Sequence, residues 1–170
     1  MPSVLLILLL CFSSGFLKDP KLIIHKHDRI LELFSKDSLL HTYRIALGTN
    51  ATDPKQKAGD RCTPEGKYYA CEKNDHSHFY LSLGLSYPNA NDAERGLREH
   101  LISKSQHVQI VNAIRRHQKP PWNTPLGGEI MIHGGGTGRD WTWGCIALDN
   151  SDIKVLFDEL PLGTPVEIIH

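Results

Sequence analysis

The stretch "IMIHGGGTGRDWTWGCIALDN", residues 130–150, gathers one histidine, five glycines and one cysteine behind a short apolar run. Four chemistries use such ingredients: a phosphate cradle, a metal clasp, a structural turn, or a thiol with its base. A nucleotide loop needs a lysine and a Ser/Thr after its glycines and a helix starting there, and "GGGTG" has neither. His133 and Cys145 supply only two soft metal ligands. The pairs "HKH" (25–27) and "HSH" (76–78) lie on separate segments without a third ligand at zinc-site spacing, so no metal site is read here. There remains a thiol–imidazole pair. His133 ends the strand-like "EIMIH", and Cys145 follows twelve positions on, enough chain to loop out and return. A neutral His133 can take the thiol proton, and Gly144 permits a tight turn whose amides, at Trp143, Gly144 and Cys145, can face a carbonyl oxygen. A buried structural cysteine beside a strand-end histidine accounts for the local pattern equally well.

Outward from this stretch, period-two alternation dominates. "KLIIHK" and "RILELF" read as a hairpin, and "LLHTYRIALG" places Leu39, Tyr43, Ile45 and Leu47 on one face. "NATDPKQKAGDRCTPEG" is a polar connection. "KYYACEK" and "HFYLSLGLSY" are strands, the second with Phe79, Leu81, Leu83 and Leu85 on one face. "NDAERGLREHL" and "SQHVQIVNAIRRH" are helical, with Ile110, Ile114 and His117 sharing a face. "QKPPWNTPLGG" crosses back to the histidine strand. After Cys145 come strand "IAL", helix "NSDIKVLFDEL" capped by Asn150 or Ser151, and strand "PVEIIH". Residues 91–127 lie just before the catalytic strand and read either as a lid or as a packed insertion.

At 170 residues the chain has room for one domain with a real core. Lys plus Arg and Asp plus Glu both total 19, which argues against bulk nucleic-acid binding. Residues 1–15 read as a signal peptide. Val4–Phe12 is an unbroken apolar run, too short for a membrane span, with Ser13 and Gly15 as small residues before a cleavage point. A positive charge before the run is missing, and a buried N-terminal element is the alternative. The expectation is an exported chain with no stable membrane span after cleavage. Without Cys11 three cysteines remain, an odd number. Cys62 and Cys71 either close a disulfide across a turn or are both free.

"IHGGGTGRDWTWGCIALDN" resembles the active-site signature of the L,D-transpeptidase (YkuD-type) catalytic domain: HG, a variable loop, then [S/T]-x-G-C. "LELFSKDSLLHTYRIALGTN", "PKQKAGDRCTPEGKYY", "FYLSLGLSYPNANDAERG" and "TPLGGEIMIHG" resemble the same family in the same order, best in the branch reading DWTxGCIAL. The likeness covers residues 21–169.

The resemblance implies a mainly β fold, a β-sandwich with a few short helices, forming a catalytic domain over 21–170 in a monomer. It implies an enzyme of the periplasm or cell envelope acting on peptidoglycan stem peptides, with Cys145 as nucleophile and His133 as base. Gly134 orients the imidazole through its carbonyl, and Gly144 and Cys145 supply oxyanion amides. No metal or organic cofactor is implied. The product is a 3-3 crosslink or transfer to another amine. The alternatives are L,D-carboxypeptidase hydrolysis of a terminal D-alanine and a non-catalytic wall-binding module. Two departures stand out: Trp143 where many members have histidine, and Ala147 where many have arginine or asparagine. Trp143 is expected as a wall of the site, and Arg139 and Asp140 as substrate contacts.

Overall fold

The computed structural model describes residues 17–170; the segment read as a signal peptide, with Cys11, lies outside the described residues. The elements run β1 Pro20–His25, β2 Ile30–Ser35, β3 Ser38–Arg44, β4 Gly66–Ser77, β5 Tyr80–Leu85, α1 Ala90–Arg98, α2 Lys104–Arg115, β6 Met131–His133, β7 Ile146–Ala147, α3 Asn150–Glu159 and β8 Pro165–Ile169. The strands form one sheet in the order β3-β2-β1-β8-β4-β5-β6-β7. β4 joins its halves: residues 66–69 pair with β8, while Ala70–Ser77 pair with β5. The far edges then meet. The chain just past β3 bonds to β7 through Ala46 N–H to Ala147 O (2.9 Å) and Ala147 N–H to Ala46 O (2.8 Å). The curled sheet thereby has no free edge beside β6.

Alternation explains why these strands face one another. Leu22 and Ile24 on β1, Leu31 and Leu33 on β2, and Val166 and Ile168 on β8 point inward against Leu83, Leu85, Ile132 and Ile146 of the other half. Truncating any of these leucines or isoleucines to alanine would cost about 2–5 kcal/mol. α3 closes the core with Ile153 and Leu156. α1 and α2 begin with reciprocal caps, Asn89/Asp92 and Ser103/Gln106, and bury a small core of their own: Ala93, Ile102, Ile110 and Leu126. Three tyrosine hydroxyls fasten this insertion to the sheet, Tyr68 to Asp92, Tyr69 to the Gln118 carbonyl and Tyr87 to the Leu126 carbonyl. Residues 91–127 are thus a packed insertion in this structure.

Several local expectations give way for identifiable reasons. The register between β2 and β3 slips so that Leu33 faces His41 and Phe34 faces Leu39. Leu40 is the extra residue, and Leu39 turns out to solvent while Tyr43, Ile45 and Leu47 stay buried. Phe79 lies in the β4–β5 turn before Tyr80, so it leaves the Leu83–Leu85 face. His117 falls beyond the end of α2 and sets its ring edge-on to Tyr69. Asp149 is the N-cap of α3 and makes no side-chain cap bond; neither Asn150 nor Ser151 holds that position. Cys62, Cys71 and Cys145 are unbridged. Cys71 sits at a β4 register shift, and burial pushes its thiol up to about 12.

Candidate active site

β6 is three residues long and lies between β5 and β7, so His133 is held from both sides: it faces Ser82 on β5 and Ala147 on β7. Its ring is buried. Nδ1 lies 2.6 Å from the Gly134 carbonyl oxygen. A carbonyl only accepts, so Nδ1 carries the proton and Nε2 keeps its lone pair in the neutral ring. Phe79 stacks on this imidazole with centroids 4.7 Å apart and planes 25° apart, and Trp141 meets it edge-on at 5.5 Å. The Trp141 indole N–H donates to the Gly136 carbonyl at 3.1 Å, which fixes the ring. Burial in this cage holds His133 below the usual histidine range, and the bond to Gly134 opposes that shift.

The glycine loop is folded back on the start of α3. Gly135 N–H donates to Asn150 Oδ1 at 3.0 Å. A methyl group on Gly134 would stand 2.4 Å from that oxygen and 2.7 Å from the Phe79 carbonyl oxygen. Asn150 therefore docks the loop, which is why it is absent from the cap.

Cys145 stands one residue before β7; Ala147 pairs with His133 on β6, and period two puts Cys145 on that same side of the sheet, level with Met131. Its Sγ accepts from Met131 N–H at 3.4 Å and donates to the Glu129 carbonyl at 3.5 Å. Burial pushes the thiol up; the Met131 amide and the positive charge of buried Lys55 pull the other way. Burial thus pushes both the imidazole and the thiol toward their neutral forms.

The turn carrying the cysteine is braced by Thr142. Its hydroxyl donates to the Cys145 carbonyl at 2.7 Å and accepts from Gly144 N–H at 3.2 Å. Thr142 is itself pinned by backbone bonds to Leu47 and Thr49, both 3.1 Å. Gly144 has φ +122°, and an added Cβ would lie 2.5 Å from the Cys62 carbonyl oxygen. The Gly144 N–H, expected to face an oxyanion, donates to the Thr142 hydroxyl in this structure. Among the described residues, the amides of Trp143 and Cys145 have no acceptor.

The remaining predicted residues separate. Asp140 binds Arg29 through both Nε and Nη2, the latter at 2.8 Å, and accepts from Leu47 N–H at 2.8 Å. Its carboxylate ties the loop to the strand hairpin. Arg139 is exposed and, with Gly135, Gly136, Gly138 and Trp141, lines a surface recess of about 320 Å³. Trp143 is 74% exposed, and the Arg61 guanidinium lies over its ring at 5.2 Å. It is an open platform rather than an enclosed wall.

Phe79, Trp141, Thr142, Asn150 and Arg29 carry the site without having been singled out from the sequence. The [S/T]-x-G-C spacing marks Thr142, and the "DWTW" run marks Trp141. Phe79 and Arg29 reach the site only through the fold. His25 pairs with Glu32 and His27 with Asp28, each at 3.0 Å. Among the described residues no group of three or more His, Cys, Asp or Glu side chains is placed to hold a metal.

The sequence profile of the YkuD L,D-transpeptidase catalytic domain matches residues 19–168. The chain belongs to this family. It is 34% identical over 80 residues to YafK of Escherichia coli K12, a protein assigned by name to the L,D-transpeptidases; the match covers 43% of this chain and 32% of YafK. Its fold is similar to that of the helical cell shape determining protein Pgp2 from Campylobacter jejuni (22% identity, TM-score 0.60, 91% of this chain and 48% of that one). Bd1075 of Bdellovibrio bacteriovorus is similar too (22%, TM-score 0.57, 90% and 48%). So is LdtMt1, solved in complex with imipenem (13%, TM-score 0.52, 89% and 59%). The chain thus spans about a third of its curated relative and about half of the first two solved structures.

Proposed function

We propose that the protein is an exported, cysteine-dependent L,D-transpeptidase of the cell envelope, acting on peptidoglycan stem peptides. The observation that carries this reading is the imidazole, anchored at Nδ1 by Gly134, with Nε2 unprotonated on the side of the sheet that bears Cys145. A wall-binding module has no use for a base beside a thiol.

The steps follow from those atoms. His133 Nε2 takes the Sγ proton, and the thiolate attacks the carbonyl of the L,D bond before the terminal D-alanine. The oxyanion falls to the amides of Trp143 and Cys145, since Gly144 N–H is held by Thr142. The imidazolium returns its proton to the departing nitrogen, D-alanine leaves, and a thioester remains on Cys145. An acceptor amine, or water, then releases the peptide with His133 again as base. Both partners start neutral, so the proton passes from Sγ to Nε2 in step with attack on the carbonyl. Among the described residues no helix is long and apolar enough to cross a membrane.

The test uses purified protein with tetrapeptide muropeptides and mass spectrometry. Dimers joined through two diaminopimelates are the expected product; tripeptides alone would replace transfer by hydrolysis. Cys145→Ala is expected to remove all product, and His133→Ala to lower turnover about 10²–10⁴-fold. Full activity in Cys145→Ala sinks the mechanism.

A further inference from the structure

The bond attacked in this reading leaves an anion close to the chemistry. The carboxylate of the departing D-amino acid is three bonds from the attacked carbon, so as a peptide enters it must be paired or stay solvated. Four cations stand around the site. Lys55 is buried and pairs with Asp60 at 2.7 Å. Arg29 is held by Asp140 at 2.8 Å. Arg61 and Arg139 are the two that make no ion pair among the described residues.

These two differ in how they are held. Arg139 sits on the exposed loop of the glycine run. Arg61 sits on a braced backbone at φ +60°. Its carbonyl accepts from Asn50 N–H at 3.2 Å. The preceding Asp60 gathers the N–H groups of Gln56, Lys57 and Cys62 together with the Lys55 ammonium. The following Cys62 carbonyl abuts Gly144, directly behind the nucleophile. The guanidinium is laid over Trp143, two residues from Cys145. A guanidinium held over an aromatic ring as a cation keeps N–H groups available for a carboxylate. A cation held this way also loses little freedom on binding.

Resting on the proposed reaction, we infer that Arg61, positioned on the Trp143 ring, pairs with the carboxylate of the departing D-amino acid and makes the enzyme select peptides with a free C-terminus. The same arrangement gives Trp143 its use: it is the support for that cation, in the position where many relatives carry histidine.

A pair of synthetic stem tetrapeptides, one ending in D-alanine and the other in D-alanine amide, tests this. The wild type should favour the free acid about tenfold to hundredfold in kcat/KM, the range of hydrogen bonds to a charged group. Arg61→Ala should lose that factor on the acid and leave the amide within about twofold, so the preference collapses. Arg61→Lys should recover only part of it, because an ammonium neither stacks flat nor forks. Arg139→Ala should keep it. Binding of both peptides to Cys145→Ala protein, with and without Arg61→Ala, supplies a second readout by calorimetry. An unchanged acid-to-amide ratio in Arg61→Ala, or its collapse in Arg139→Ala, overturns the inference. Absence of Cys145-dependent turnover of either peptide by the wild type overturns the reaction instead, and the binding ratio still decides Arg61.

Discussion

The two halves of the candidate active site are built differently. His133 is controlled by what surrounds its ring: two aromatic side chains, the Gly134 carbonyl and burial. Cys145 is controlled by its backbone: a hydroxyl-bridged turn and a glycine pressed against the Cys62 carbonyl. In the proposed reaction the base is tuned through its solvation, and the nucleophile is aimed through its peptide geometry. Substitutions on the two sides should therefore fail in different ways, one in pH dependence and the other in stability together with rate.

The largest effect belongs to the nucleophile side. Gly144→Ala places a methyl 2.5 Å from a backbone oxygen at φ +122°, where an L-residue is strained. The atom it meets most closely is a backbone carbonyl and not the flexible end of a side chain, so the turn or the 60–62 loop must shift. The expected cost is about 2–5 kcal/mol, the sum of backbone strain and overpacking. Turnover should fall at least about 100-fold, as misplacement by an ångström does. Urea unfolding and muropeptide kinetics measure both. A variant with wild-type stability and rate would show that the turn has slack, and the contrast between the halves would disappear.

On the base side the expected change is a shift of a pH limb. Burial disfavours the imidazolium, so His133 stays neutral and competent to below the ordinary histidine value near 6.5. Phe79→Ala opens one face of the ring to water. The acid limb of kcat/KM should then move up in pH toward that value, while the rate at pH 8 falls by less than about tenfold. Stability follows the same linkage: the unfolded chain binds the His133 proton first, so in the wild type stability is complete above about 6.5 and declines as pH falls toward the lower folded value. Phe79→Ala should flatten that decline. An unmoved acid limb would mean that Phe79 does not control the solvation of the base.

The motif residues could be read because their chemistry is local. His133, Gly134, Gly144 and Cys145 lie within one short run, and alternation was enough to read β1, β2 and β8 as strands. What escaped depends on distant contacts. Phe79 is 54 positions from His133 and meets it only because the β4–β5 turn projects beside β6. Gly144 kept the turn tight as expected, yet its amide was already bonded by a hydroxyl two residues upstream, a competition that spacing does not reveal. Leu39 was misassigned because one bulge inverts every side chain beyond it.

Asp140 joins the two halves, and its substitution is the smallest effect expected. The loop between His133 and Cys145 is tied to the β1–β2 turn by the Arg29 pair, and to Leu47 by one further bond. Asp140→Asn keeps an acceptor for Leu47 N–H and loses the charge pair. Both side chains are partly exposed, so screening limits the loss to about 0.5–1.5 kcal/mol. Turnover should drop by less than about fivefold, within that same energy range. Combined with Arg29→Ala it should lose scarcely more than either variant alone, because the two side chains act as one unit. Additive losses, with KM rising only in Asp140→Asn, would return Asp140 to the substrate and leave the loop held by Trp141 and Asn150.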